Sequence, residues 1–460
     1  MKRMTQALVL TLVLTAAVLL TGCDANDFRI NFNPQELYAL PELPAKYTEL
    51  NRQLTAILDT GAEYAAPTAG TNVQPVQMTD LDGDGREEAL AFFRNAAEEK
   101  PLKIYIFSTV DDTYAPAAVI EGSGSAISSI VYSDFNGDGR TEVVVGWKVN
   151  TDLQALSVYA LRPTGTEGEL DAEELLKSVN YVKYTVTNLD RDDYQELMIL
   201  RADEEGSGLA DCYSWKDGGV IAQSTTTVSM TMADLSRQGR LKRGTLVDGT
   251  PALFVTGVTD QNYSITDILT LREGELCNIA LSGTTGMTQQ IADFVSLYPT
   301  DLNYDGLTEV PNPVALPDWG EGSDVYRRID WQQYLPDGTA QTVLRTYHET
   351  DSGWYFQLPE SWTDQIMISR IALADETTIT FHIYNGEGEL PTPFLRISAI
   401  TGTNREIKAV RGSRFIVSRQ VETIYTAELL EGNDTWENGL TPDEVRAAFS
   451  LIATEWTTSD

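Results

Sequence analysis

"DLDGDGREE", residues 80–88, sets Asp80, Asp82 and Asp84 at alternate positions, with Gly83 and Gly85 between them and Glu88 closing the run. Like charges this close repel one another unless something positive sits among them. The stretch recurs. "DFNGDGRTE" starts at Asp134, "NLDRDDYQE" at Asn188 and "DLNYDGLTE" at Asp301. Each has an acidic or amide side chain at loop positions 1, 3 and 5, and Glu at position 9. A weaker copy, "DLSRQGRLK" from Asp234, has Ser236, Gln238 and Lys242 at the later positions.

The copies start 54, 54, 46 and 67 residues apart, and each runs into β-type sequence such as "EEALAFF", "EVVVGW" or "ELMIL". Short strands at such a period are the mark of propeller blades. The expected fold is mainly β: a β-propeller of about five blades, or six or seven if the longest interval holds more, followed by a smaller α+β domain. The acidic loop is placed between the last strand of one blade and the first of the next. The run "NVQPVQM" before Asp80 is expected to complete the last blade and close the ring.

Side chains at positions 1, 3 and 5 point to one side when such a loop curls. A carbonyl at position 7 and a carboxylate at position 9 complete an oxygen cage, and Ca²⁺ takes six to eight such oxygens. The first set is Asp80, Asp82, Asp84, the Arg86 carbonyl and Glu88. The second is Asp134, Asn136, Asp138, the Arg140 carbonyl and Glu142. The third is Asn188, Asp190, Asp192, the Tyr194 carbonyl and Glu196. The last is Asp301, Asn303, Asp305, the Leu307 carbonyl and Glu309. Up to four Ca²⁺ ions are expected, and none at Asp234. Gly85, Gly139 and Gly306 at position 6 permit the sharp turn, while Asp193 is expected to take it left-handed at some cost. An EF-hand needs Glu at position 12 between helices; Ala91, Val145, Ile199 and Asn312 stand there, in β-rich flanks.

These loops resemble the FG-GAP, or VCBS-type, repeat of integrin α-subunit propellers and bacterial surface proteins. The resemblance covers roughly residues 72–350. It implies that the D-x-D-x-D-G-x-x-[DE] hairpin binds Ca²⁺ between blades.

The chain opens "MKRMTQALVLTLVLTAAVLLTGC": a short basic start, then an apolar run too short for a comfortable bilayer span. "LTGC", ending at Cys23, resembles the lipobox of bacterial lipoproteins. That implies a signal peptide over 1–22, lipidation (palmitate included) of Cys23, and tethering of the mature chain to the outer side of the bacterial cell membrane. Residues 23–70 read as tether and amphipathic helix, with Tyr47, Leu50, Leu54, Ile57 and Leu58 on one face. Residues 71–350 are assigned to the propeller and 351–460 to the α+β domain. Its opening "GWYFQLPESW" resembles PsbP-like domains, and a helix is expected from Thr441.

A formal net charge of −35 excludes the basic footprint that nucleic-acid binding needs. Cys212 and Cys277 are compatible with a disulfide or with two free thiols. His348 and His382 stand singly and read as structural. There is no G-x-S-x-G, H-E-x-x-H or P-loop. The expectation is a lipid-anchored, calcium-binding module for adhesion or scaffolding at the envelope, not an enzyme, with an envelope protein or glycan as partner. The rival readings are a propeller-fold lyase or glycosidase and a purely structural lipoprotein.

Overall fold

A computed structural model describes residues 45–452, except 287, 319 and 321–323. The signal peptide and Cys23 lie outside the described residues. Among the described residues the chain is mainly β, in six antiparallel sheets.

The first sheet holds Glu63–Tyr64, Val76–Thr79, Glu88–Arg94, Leu102–Val110 and Thr113–Gly122. The second holds Ala126–Ser133, Glu142–Lys148, Gln154–Pro163 and Leu170–Tyr181. The third holds Lys183–Thr187, Glu196–Ala202, Gly208–Lys216 and Gly219–Thr227. The fourth holds Arg240–Thr245, Pro251–Val258, Tyr263–Arg272 and Glu275–Asn278, with Ile291–Asp293 added beside Tyr263.

The continuous apolar runs after the acidic loops explain how the sheets stack. Side chains of a strand alternate between its two faces, so a strand buried on both faces is apolar at every position. Leu90 and Phe92 join Val143, Val145 and Trp147 between the first two sheets. Val144 joins Leu197 and Ile199 between the second and third. Met198 and Leu200 join Leu253 and Val255 between the third and fourth. Ala252 and Phe254 meet Val310 and Tyr334 of the fifth.

At one end, the helix Ala45–Leu58 lays Leu50 and Leu54 on Ala89, Ala91 and Phe93, the outer face of the first sheet. At the other, the fifth sheet (Val310–Ala315, Arg327–Tyr334, Ala340–Glu349, Trp354–Gln357 and Phe449–Leu451) shares an aromatic core with the sixth (Ile366–Leu373, Glu376–Ile383, Thr392–Ile400, Phe415–Arg419 and Ile424–Leu429). Trp354, Phe356, Trp362 and Phe381 fill that core. No hydrophobic cluster among the described residues joins the fifth sheet to the first.

Several expectations are corrected. "NVQPVQM" supplies Val76–Thr79, which pairs with Glu88–Arg94 in the first sheet and does not complete the last one. Trp354–Gln357, expected to open the C-terminal unit, pairs with Ala340–Glu349 of the fifth sheet and with Phe449–Leu451. The final helix stops at Ala448, where that returning strand begins. Cys212 and Cys277 are free thiols.

The acidic loops do not link one sheet to the next. Each is a hairpin within one sheet, closed by Thr79 opposite Glu88, Ser133 opposite Glu142, and Thr187 opposite Glu196. Thr300 and Glu309 close the last as an isolated bridge. The corresponding pair in the fourth sheet is Thr245 opposite Pro251. Its hairpin is therefore the short turn 246–250. The segment at Asp234 is a helix, Met232–Gln238, fixed by a capping box in which the Thr231 and Asp234 side chains each bond the other's backbone.

Candidate metal centres and a groove

The hairpins are built by their own side chains. Asp80 accepts from the amides of Gly83 and Gly85, at 2.8 and 2.9 Å. Asp134 accepts from Gly137 and Gly139 at the same distances, 2.8 and 2.9 Å. At position 7, the amides of Arg86, Arg140, Tyr194 and Leu307 each donate to the position-5 side chain, at 2.8, 2.9, 2.7 and 2.8 Å. At position 9, Glu88, Glu142, Glu196 and Glu309 each accept from the position-2 amide, at 2.9, 3.0, 2.7 and 2.8 Å.

The third hairpin turns differently. With Asn at position 1, an amide nitrogen replaces the second carboxylate oxygen and cannot accept from position 6. Asn188 Nδ2 instead donates to the Asp192 carbonyl at 2.6 Å. The left-handed residue is Arg191, at φ 62°, and not Asp193 as expected.

The position-9 glutamates are at most 2% exposed. Burial pushes the Glu88 carboxyl up to about 7, and the charges of Asp82, Asp84 and Asp80 add to it against the single Leu81 amide. Burial and neighbouring aspartates likewise push Glu196 to about 7 and Glu142 to about 6. Glu309 is also raised, by burial first. Ser108 lies one register step beyond the Ala89–Phe107 pair, opposite Glu88. It is buried, and its Oγ has no hydrogen-bond partner among the described residues.

Carboxylate oxygens of Asp80, Asp82 and Glu88 lie within 4.8 Å of one another, as do those of Asp190, Asp192 and Glu196, and of Asp301, Asp305 and Glu309. A hard-oxygen cluster without a neutralising side chain fits a divalent cation. Two expected ligands point elsewhere. Asp84 takes both Arg86 Nε and Nη2, at 2.9 and 2.7 Å. Asp138 lies 4.0 Å from Arg162 Nη1, and the second hairpin does not gather three carboxylates. Asn136 and Asn303 hold the position-5 amides, at 2.9 and 3.0 Å.

The hairpins touch along the stack. Thr141 N donates to Leu81 O at 2.9 Å, and Gln195 N to Phe135 O at 3.1 Å. A Cβ on Gly83, whose φ is +76°, would lie 2.3 Å from the Gly139 carbonyl. The first three hairpins thus brace one another in turn.

A second feature lies between the first two sheets: an open groove of about 460 Å³. The register of Gln154–Pro163 against Leu170–Tyr181 slips twice between Leu156 and Tyr159. Bulges of this kind re-aim side chains. Trp147 forms part of the wall, packed so closely on Gly122 that a Cβ there would lie 2.4 Å from the ring. Tyr159 donates to Glu174 at 3.3 Å, and its hydroxyl is pushed up to about 12 by burial. Across the groove, the bond from Lys103 holds Glu121 below the usual carboxylate range. Nothing in the sequence marked this groove, because its residues come from five separate segments.

Residues 80–145 match an FG-GAP-like repeat family. A search of curated proteins finds no match. Among solved structures, the chain is similar to the polysaccharide lyase Uly1, with 10% identity and a TM-score of 0.28, over 79% of this chain and 92% of that one. It is also similar to CoXyl43, a GH43 β-xylosidase/α-arabinofuranosidase from a compost microbial metagenome solved in a calcium-free form with xylotriose. There the identity is 9% and the TM-score 0.25, over 61% of this chain and 98% of that one. Both are named as carbohydrate-active enzymes, whereas the expectation from the sequence was that the chain is no enzyme. Likeness of this degree assigns it neither a catalytic residue nor a substrate. What the sequence and the comparisons agree on is a mainly β chain carrying FG-GAP-like repeat material.

Proposed function

We propose that the acidic hairpins are calcium sites that brace neighbouring sheets, and that the scaffold they hold handles carbohydrate at the cell envelope. The calcium reading is carried by one observation: buried position-9 glutamates that face aspartates and accept only one backbone amide each in the first three hairpins. A divalent ion would neutralise that charge, held by the side chains at positions 1, 3 and 9, by Asp192 in the third hairpin, and by the position-7 carbonyls of Arg86, Arg140 and Tyr194. Metal bound only by the folded state stabilises it by mass action. Unfolding of the chain with EGTA and with added Ca²⁺ tests this. A five-bladed architecture with a smaller α+β unit is our reading of the five hairpins and the sixth sheet.

The carbohydrate reading draws on the groove. Sugar rings stack on aromatic faces and bond through hydroxyls to carboxylates, and the groove offers Trp147 and Tyr159 beside Glu121 and Glu174. As a lyase or glycosidase the chain would use these carboxylates with the Tyr159 hydroxyl for proton transfer. Incubation with neutral and acidic polysaccharides, scored for new reducing or unsaturated ends and for retention on the polymer, tests it. Activity or retention lost in Glu174→Gln supports the groove; none on any polymer removes the reading. Anchoring through Cys23 is tested by labelled-palmitate incorporation, which Cys23→Ala should abolish.

A further inference from the structure

The fourth acidic hairpin differs from the other three in one cross-strand neighbour. Register places Ser108, Ala160 and Ser214 opposite Glu88, Glu142 and Glu196, one step beyond the pairs Ala89–Phe107, Val143–Tyr159 and Leu197–Tyr213. None of those short side chains bonds the glutamate opposite it. The pair Val310–Gln332 likewise places Gln333 opposite Glu309. Gln333 is buried, and its side chain reaches into the hairpin.

Gln333 Nε2 donates to Glu309 Oε1 at 2.7 Å and to Asp305 Oδ2 at 2.9 Å. The other oxygens of this pair are also met. Leu302 N donates to Glu309 Oε2 at 2.8 Å, and Leu307 N to Asp305 Oδ1 at 2.8 Å. Between two carboxylates only the amide nitrogen makes sense on both sides, so the orientation of the Gln333 amide is fixed by its partners. All four oxygens of Asp305 and Glu309 therefore have a donor, and the amide bridges the two carboxylates.

We infer that the Gln333 amide takes the place of calcium in the fourth hairpin, so that this junction is closed by the chain itself while the first three remain calcium sites. The inference rests on the calcium reading of those three. Its physical basis is donor supply. A carboxylate pair with every oxygen bonded gains little from a cation that must first displace a buried amide.

The test is the number of Ca²⁺ ions bound by the full chain, measured by equilibrium dialysis with elemental analysis. Wild type should bind three. Glu309→Gln should leave that count unchanged, whereas Glu88→Gln should lower it by one. Gln333→Met, similar in volume but without the amide, should raise it by one. Four ions in wild type, falling to three in Glu309→Gln or in Gln333→Met, would make the fourth hairpin a calcium site and overturn the inference. No ion at any hairpin would overturn the calcium reading and this inference together. Should Gln333→Met fail to fold, the contrast between Glu309→Gln and Glu88→Gln still decides it.

Discussion

Asp267 and Glu88 are both fully buried carboxylates, and they are buried in opposite ways. Asp267, in the fourth sheet, accepts from Ser229 N at 2.6 Å, Ser229 Oγ at 2.9 Å and Asn278 Nδ2 at 2.8 Å. Glu88 accepts from Leu81 N at 2.9 Å and otherwise faces aspartates. Burial raises both groups. What separates them is the supply of donors. The chain supplies Asp267 with its own; at Glu88 it supplies further negative charge. A buried acid of the first kind is structural, and one of the second kind carries charge that a cation would neutralise.

That contrast can be broken experimentally, and the largest effect is expected at Asp267. Asp267→Ala strands the Ser229 and Asn278 donors and should cost about 3 kcal/mol, equally in EGTA and in Ca²⁺. A calcium-dependent cost, read from denaturant midpoints, would put Asp267 in the metal machinery.

Next is pH. The folded, metal-free chain holds Glu88 and Glu196 at about 7 and Glu142 at about 6, above their unfolded value of 4.5. Between pH 4.5 and 7 the folded state therefore binds more protons than the unfolded one. Stability in EGTA should fall as pH rises through this window, and saturating Ca²⁺ should flatten the dependence. Stability that rises over the same range in EGTA would contradict the assignment.

Packing of hairpin on hairpin gives the third comparison. Gly83→Ala, strained by its positive φ and driven into the Gly139 carbonyl, should cost about 2 kcal/mol. Gly85→Ala, equally left-handed but with open space around its Cβ, should cost about 1 kcal/mol. Equal costs would mean that the first two hairpins do not brace each other.

The smallest effect sharpens the contrast by its sign. Glu88→Gln keeps an oxygen for Leu81 N but removes a charge. It should destabilise by about 1 kcal/mol in Ca²⁺ and be neutral or stabilising in EGTA.

The hairpins were legible because their chemistry is local. Four acidic runs of one spacing carry the turn, and the continuous apolar strands after the first three carry the two-faced burial. The fourth sheet was misread for a local reason too. Asp234 matches position 1 of the loop by eye, but Thr231 three residues before it forms a capping box, a helix signal that outranked the resemblance. Other features could not be read in advance because they are long-range. Gln333 reaches Glu309 across a strand pair. Trp354–Gln357 joins the fifth sheet because Phe449–Leu451 returns to cover its far edge. The groove beside Trp147 depends on register slips that leave no mark in composition.

The central claim is that calcium holds the first three hairpins. Thermal and denaturant unfolding of the full chain at pH 7.5, in EGTA and then across a Ca²⁺ titration, tests it directly. The midpoint should climb with Ca²⁺, with a gain in stability of about 2.7 kcal/mol for each site at a hundredfold excess over its Kd. Unfolding curves that superimpose in EGTA and in excess Ca²⁺ would contradict it.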